Sequence, residues 1–231
     1  LLELIRQSTI TTDKQKIYLW FSHQKGMGNG DEGEELITNV QCPIILNNLK
    51  NMLTSTDFTG LLNERFFRNF LPVPATNQLR LGVGTPDFQL LDITNGTLVK
   101  LSDYKGKQPV LLAFTRIFTE KQYCPFCFPH IKALNENYEQ FKNRGIEVLM
   151  VTSTDERQSQ VVVRDLGLQM PLLSDPSCRV FRTYNVGQAL GAPLPAQFVL
   201  DKQGKLQYFH LFSFLDHNAS IETLLQQFID D

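Results

Sequence analysis

Cysteine is scarce in this sequence: four residues among 231. Cys42, Cys124, Cys127 and Cys178 are too few and too unevenly spaced for a disulfide scaffold, and a chain of this length can bury a core without one. Net charge is lacking as well. Lys and Arg number 22 against 24 Asp and Glu, so the formal charge is −2, with no cationic excess to neutralise phosphates or an anionic membrane. The aromatic residues are mostly Phe, with a single Trp, and are not interleaved with basic clusters. Nucleic acid and membrane are therefore not expected partners. No apolar run reaches the roughly 18–20 residues of a membrane-spanning helix, and no secretory signal pattern is visible. The chain opens on LLELIRQ without Met, which leaves room for a segment before Leu1; with that reservation the cytoplasm is the expected compartment.

Hydrophobic residues make up 42% of the chain, enough for one large core, and the texture changes near residue 80. Residues 1–80 read as a mainly helical N-terminal extension of unassigned role. KIYLWF (16–21) suggests a short strand, 23–35 a Gly-rich acidic loop, 43–53 and 57–71 helices, and 72–78, with Pro72 and Pro74, a linker. GNGDEG (28–33) fits a Gly-x-Gly-x-x-Gly pattern, but Asp31 and Glu32 would repel a pyrophosphate, so it reads as a loop.

Residues 81–231 are regular. DFQLLDI, a tight Asn95–Gly96 turn and TLVKL predict a hairpin, and PVLLAFT (109–115) a central strand buried on both faces. A helix follows, with Ile131, Leu134, Tyr138 and Phe141 on one stripe and Gly145 as its stop. IEVLMVT (146–152) is a second buried strand, and 155–167 and 177–187 are helices. AQFVLD and LQYFHLF form a second hairpin, and 218–229 a last helix capped by Asn218 or Ser220. Strand–helix–strand, helix, hairpin and helix give a mixed sheet with helices on both faces.

The stretch YCPFCFPH (123–130) carries the chemistry. A Cys-x-x-Cys between a strand and a helix places two thiols at a helix N-terminus, where free N–H groups and the partial positive charge favour a thiolate. Two intervening residues let the second sulfur reach the first. Pro125 suits the first helical position, which makes Cys124 the exposed, attacking thiol and Cys127, one turn in, the resolving one. Pro129 complicates this: a helix starting at Pro125 would be kinked by it, whereas one starting at Pro129 would point its dipole at Cys127. Arg116 and Lys121 are candidates for stabilising a thiolate. His130 could tune or shuttle a proton, although a His in a first helical turn is more often solvated. Two inert buried cysteines, or a zinc site from Cys124, Cys127, His130 and either Cys178 or Cys42, are the rival readings; no second ligand pair supports zinc. Cys178 could resolve a distant disulfide but reads more simply as a half-buried helix residue. No organic cofactor is called for.

With TPDFQL, LSDYKGKQPVLLAF, CPFC, LLSDPSCRVFRTYNV and PLPAQFVLDKQGKL in this order, the chain from about Thr85 onward resembles the thioredoxin-fold redoxins of the alkyl hydroperoxide reductase/thiol-specific antioxidant (peroxiredoxin-like) family. The resemblance implies an α/β, three-layer thioredoxin-like sandwich and thiol-based reduction of disulfides or peroxides. It admits a homodimer. Peroxiredoxins carry Pro-x-x-x-Thr-x-x-Cys, which neither cysteine satisfies: Cys124 stands where Cys127 would need Thr, and Lys121 and Ile117 where Cys124 would need Thr and Pro. The family's Arg would fall near Pro195. Thioredoxin-like members place a cis-proline there, so Pro195 is expected to be cis and to line the substrate groove, with Pro193 a weaker candidate.

Three functions follow. The first is a thiol–disulfide oxidoreductase in redox homeostasis, acting on a disulfide protein and reset by an external thiol. The second is a thiol peroxidase reducing hydroperoxides, with Cys127 at the family's peroxide-attacking position. The third is a redox sensor without turnover. Thioredoxin logic names Cys124 as nucleophile and peroxiredoxin alignment names Cys127.

Overall fold

The computed structural model describes residues 61–213 and 215–228. The strand and helix expected in 16–53, GNGDEG, Cys42 and the start of the 57–71 helix lie outside the described residues.

Seven strands form one mixed sheet in the order β11-β10-β3-β6-β7-β1-β2. Its centre is β3 (Val110–Phe114), β6 (Glu147–Thr152) and β7 (Leu172–Ser174), all parallel. Antiparallel pairs flank it. On one side are β10 (Ala196–Leu200) and β11 (Leu206–Leu211), on the other β1 (Gln89–Asp92) and β2 (Thr97–Lys100). Every residue of β3 is buried, as its unbroken apolar run requires. The pleat then sorts the side chains. Leu111 and Ala113 face a core shared with helices α2 (Cys127–Glu136), α3 (Tyr138–Asn143), α4 (Glu156–Leu166) and α6 (Ile221–Gln226). Val110, Leu112 and Phe114 face the second core, closed by α5 (Arg179–Thr183) and a single turn at Leu101–Tyr104. There the Phe114 ring lies 5.0 Å from Phe181, 5.2 Å from Tyr184 and 5.7 Å from Phe198. This is the three-layer, thioredoxin-like arrangement that the sequence led us to expect.

Several elements differ in extent. The single helix expected after the cysteines is two helices, α2 and α3, which meet at Asn137, whose side-chain amide donates to the Ala133 carbonyl (2.8 Å). The apolar stripe survives the break, and Gly145, at φ +72°, ends it. The 177–187 helix shrinks to five residues capped by the Asp175 carboxylate, which accepts the N–H groups of Arg179 and Val180. The Asn95–Gly96 turn is a four-residue loop, since Asp92 pairs Thr97 and its carboxylate accepts the Thr94 N–H. Within 57–71 the described helix is α1 (Glu64–Arg68), and in the expected linker Val73 exchanges two backbone hydrogen bonds of 2.8 Å with Gln188. Among the described residues no helix is long and apolar enough to cross a membrane.

Of the two cap candidates for α6, Ser220 takes the role: its Oγ accepts the Thr223 N–H at 3.1 Å. Ser220→Ala is expected to lower the urea-unfolding free energy by about 1 kcal/mol, the usual worth of such a cap.

Candidate active site

The chain leaves β3 at Thr115 and Arg116 and makes a hairpin of β4 (Ile117–Thr119) and β5 (Gln122–Tyr123) before reaching the cysteines. This hairpin takes up RIFTEKQ (116–122), the residues between the central strand and the cysteines. Cys124 donates its N–H to the Arg116 carbonyl at 3.2 Å, so the hairpin returns the chain to where it left the sheet. The Cys124 carbonyl then accepts the N–H groups of Cys127 (3.0 Å) and Phe128 (2.9 Å). Cys124–Pro125–Phe126–Cys127 is thus a tight turn that delivers Cys127 as the first residue of α2.

This corrects the placement of both prolines. Pro125 precedes the helix, in the second position of the turn, where its fixed φ suits the backbone. Pro129 is the third residue of α2, inside the first turn, where proline is tolerated; it does not start the helix. The cysteines differ from expectation too: Cys124 is as buried as Cys127, at 2% and 1% exposure, and both belong to the core against which Phe118, Tyr123 and Phe126 pack. Neither is bridged.

The environment separates the two thiols. Cys124 is drawn down to about 6, first by the hydrogen bond donated by the Cys127 thiol, then by the Arg116 charge and the N–H groups of Phe126 and Cys127, which together outweigh burial. Cys127 is pushed well above the ordinary thiol range by its bond to Cys124, by burial and by the Cys124 charge. The shifts have opposite signs, and Cys124 is the more acidic thiol of the pair.

Arg116 is the cation of the site. Its guanidinium is buried, lies 4.6 Å above the Phe118 ring, and donates Nη2 to the carbonyls of Ala189 and Leu190 in the turn between β8 (Gln188–Ala189) and β9 (Ala192–Pro193). Its Nε is buried without a hydrogen-bond partner. Lys121 is exposed on the hairpin turn, and the charge that reaches the thiols is that of Arg116. His130 is not solvated as expected: it is half-buried beside His210, and burial holds it down to about 4, so it is neutral at pH 7 and brings the thiols no charge. Pro195 is buried and leads into β10, beside the Ala196–Phe114 pair at the thiol end of the sheet. Its peptide bond is trans, which corrects the expected cis-proline; an extended entry accommodates a trans proline at a strand's start. Cys178 sits in the other core, across the sheet from the pair, fully buried, with its Sγ 3.6 Å from the Asn69 amide. Among the described residues no three His, Cys, Asp or Glu side chains come together to hold a metal.

Two site residues escaped sequence reasoning. Gln197, fully buried on β10, donates to Asn218 Oδ1 (2.8 Å) and accepts the Ala219 N–H (3.0 Å); Asn218 then donates to the Phe126 carbonyl at 3.0 Å. His217 stacks on Phe126 at 3.8 Å. These contacts fix the turn whose N–H groups face Cys124. The available signal was a lone polar residue inside the apolar run AQFVL, a position that buried strands give only to a satisfied amide.

Known proteins place this geometry in context. Residues 81–209 match the model of the AhpC/TSA family. The thiol-disulfide oxidoreductase ResA of Geobacillus kaustophilus (strain HTA426) is 33% identical over 135 residues, which cover 57% of this chain and 71% of ResA. The chloroplastic peroxiredoxin Q of Triticum aestivum is 32% identical over 141 residues, 60% of this chain and 62% of that protein. The fold superposes on reduced 2-Cys peroxiredoxin from Plasmodium vivax with a TM-score of 0.56 at 22% identity, covering 64% and 79% of the two chains.

Proposed function

The chain belongs to the AhpC/TSA family, and from that premise we propose that it is a thiol–disulfide oxidoreductase in which Cys124 attacks and Cys127 resolves. The observation that carries this reading is the pair of unbridged thiols held in one tight turn at the start of α2, where the Arg116 charge and the Phe126 and Cys127 N–H groups favour the Cys124 thiolate. The Cys124 thiolate attacks one sulfur of a substrate disulfide, forms a mixed disulfide and expels the other sulfur as a thiolate. That step consumes the charge and the acceptor that kept Cys127 protonated. Burial still opposes its ionisation, but the two contributions of Cys124 are gone, while the Arg116 charge and the backbone hydrogen bond at Arg116 continue to favour its thiolate. Cys127 then loses its proton, attacks the Cys124 sulfur and releases the reduced substrate, leaving a Cys124–Cys127 disulfide. A dithiol reductant from outside resets the pair. The order of attack is thus built into the electrostatics.

A second reading, thiol peroxidase, is favoured by Arg116. The family's Thr and Arg positions are not filled here, yet Arg116 brings a buried cation with an unpartnered Nε to the same thiol. A hydroperoxide would oxidise the Cys124 thiolate to a sulfenic acid and leave as alcohol or water; Cys127 would then condense with it, expelling water.

The two readings part in a direct comparison. Reduction of insulin disulfides by the dithiol-recycled protein is expected to be fast. Consumption of hydrogen peroxide, followed by stopped flow, is expected at a rate close to that of a free thiol. The opposite ranking would overturn the first reading in favour of the second.

A further inference from the structure

Helix α1 packs on the turn that holds Arg116, and we propose that it is a positioning element of the dithiol site, with Phe66 and its seat on Gly191 setting where the Arg116 guanidinium rests beside Cys124. The proposal rests on the reading of Arg116 as the thiolate's cation. The β8–β9 turn has both central residues in the left-handed region, Leu190 at φ +51° and Gly191 at φ +87°. Leucine rarely adopts that conformation unaided. Here α1 and the residue after its cap hold it. The Asn69 carbonyl accepts the Gly191 N–H and the Phe70 carbonyl accepts the Leu190 N–H, each at 3.0 Å. The Phe66 ring lies so close to Gly191 that any Cβ there would overlap it. In this conformation the carbonyls of Ala189 and Leu190 both face Arg116 Nη2.

A second route runs from the same helix. Arg65 donates Nη1 to the Ser153 carbonyl (2.6 Å) and hydroxyl (3.0 Å), and Nη2 to the Phe118 carbonyl. Phe118 is the residue whose ring underlies the Arg116 guanidinium. Both the acceptors and the floor of Arg116 are therefore tied to α1 and the two residues that follow it. Burial of Arg116 makes its position matter, because a charge shifted in a poorly screened interior changes its effect on a neighbour steeply.

The test is the pH dependence of Cys124 alkylation by iodoacetamide in the reduced full chain, with the modified cysteine identified by mass. Phe66→Ala is expected to move the inflection up by about one unit, since part of the cation's influence is lost. Phe66→Tyr, which keeps a ring on Gly191, is expected to retain the wild-type inflection. Gly191→Ala should act as Phe66→Ala does, by pushing the ring away. A role in packing alone would lower the melting temperature and leave the inflection in place; unchanged inflections in folded Phe66→Ala and Gly191→Ala would overturn the proposal. A wild-type inflection near the ~8.5 of a free cysteine would instead refute the thiolate reading beneath it.

Discussion

Cys124→Ser is expected to abolish disulfide reduction, by about a thousandfold or more, because a serine hydroxyl is not ionised at neutral pH and supplies no comparable nucleophile. Cys127→Ser should fail differently. Its first step survives, since the serine hydroxyl still donates to the Cys124 thiolate and Arg116 is untouched. The mixed disulfide then has no internal thiol to release it and accumulates. Intact-mass analysis after a single addition of substrate disulfide would show one substrate-sized adduct on Cys127→Ser and none on Cys124→Ser. The pH dependence has a definite sign. A thiol drawn down to about 6 is protonated below that value and ionised above it. Adduct formation should therefore rise with pH through about 6 and level off well before the ordinary thiol range. If Cys124→Ser formed the adduct and Cys127→Ser did not, the alignment with peroxide-attacking cysteines would be right and the electrostatic assignment wrong.

Much of this site was legible in the sequence, and the residues show why. The strand Val110–Phe114 is apolar without alternation, the turn is written Cys-Pro-Phe-Cys, and the helix after it repeats Ile131, Leu134, Tyr138 and Phe141. These are local patterns, and local patterns dictate local structure. Pro125 and Pro129 misled because a proline is tolerated throughout a helix's first turn and in the turn before it, so its presence does not locate the first helical residue. The burial of Cys124 was invisible for another reason. It comes from tertiary packing: the Cys-x-x-Cys turn folds into a core shared with α3, α4 and α6, and Asn218, some ninety residues on, holds the Phe126 carbonyl. Arg116 could be nominated from its place between strand and thiols. Its partners Ala189 and Leu190 could not, since backbone carbonyls carry no sequence signature. The strand Leu172–Ser174 is three residues long and pairs on both edges, so tertiary context alone makes it a strand.

Arg116→Met tests whether that cation governs the chemistry, and its largest expected effect is on acidity and potential more than on rate at pH 7. Methionine fills similar volume and removes a desolvated charge, a gain that offsets part of the cost of leaving the Ala189 and Leu190 carbonyls without their donor, so a folded protein is expected. Cys124 loses its cation but keeps the Cys127 thiol and the Phe126 and Cys127 N–H groups. A rise of roughly two units in its pKa is a reasonable measure of a buried opposite charge. At pH 6 the thiolate fraction would then fall from about a half to about one per cent, while each remaining thiolate becomes intrinsically more reactive, by about eightfold for a Brønsted slope near 0.45. The two effects leave a net loss of about sixfold at pH 6 and nearly cancel at pH 7. The potential has no such cancellation. Cys124 ionises only when reduced, so its thiolate stabilises the reduced form; losing that stabilisation over a tenfold range of ionisation makes the couple about 30 mV more negative at pH 7. Cys127 also loses the Arg116 charge that favours its thiolate, so it is deprotonated less readily and the mixed disulfide should live longer. Equilibration against a glutathione redox buffer reads the first change and quenched-flow trapping the second. An unchanged potential together with an unchanged inflection would remove Arg116 from the mechanism.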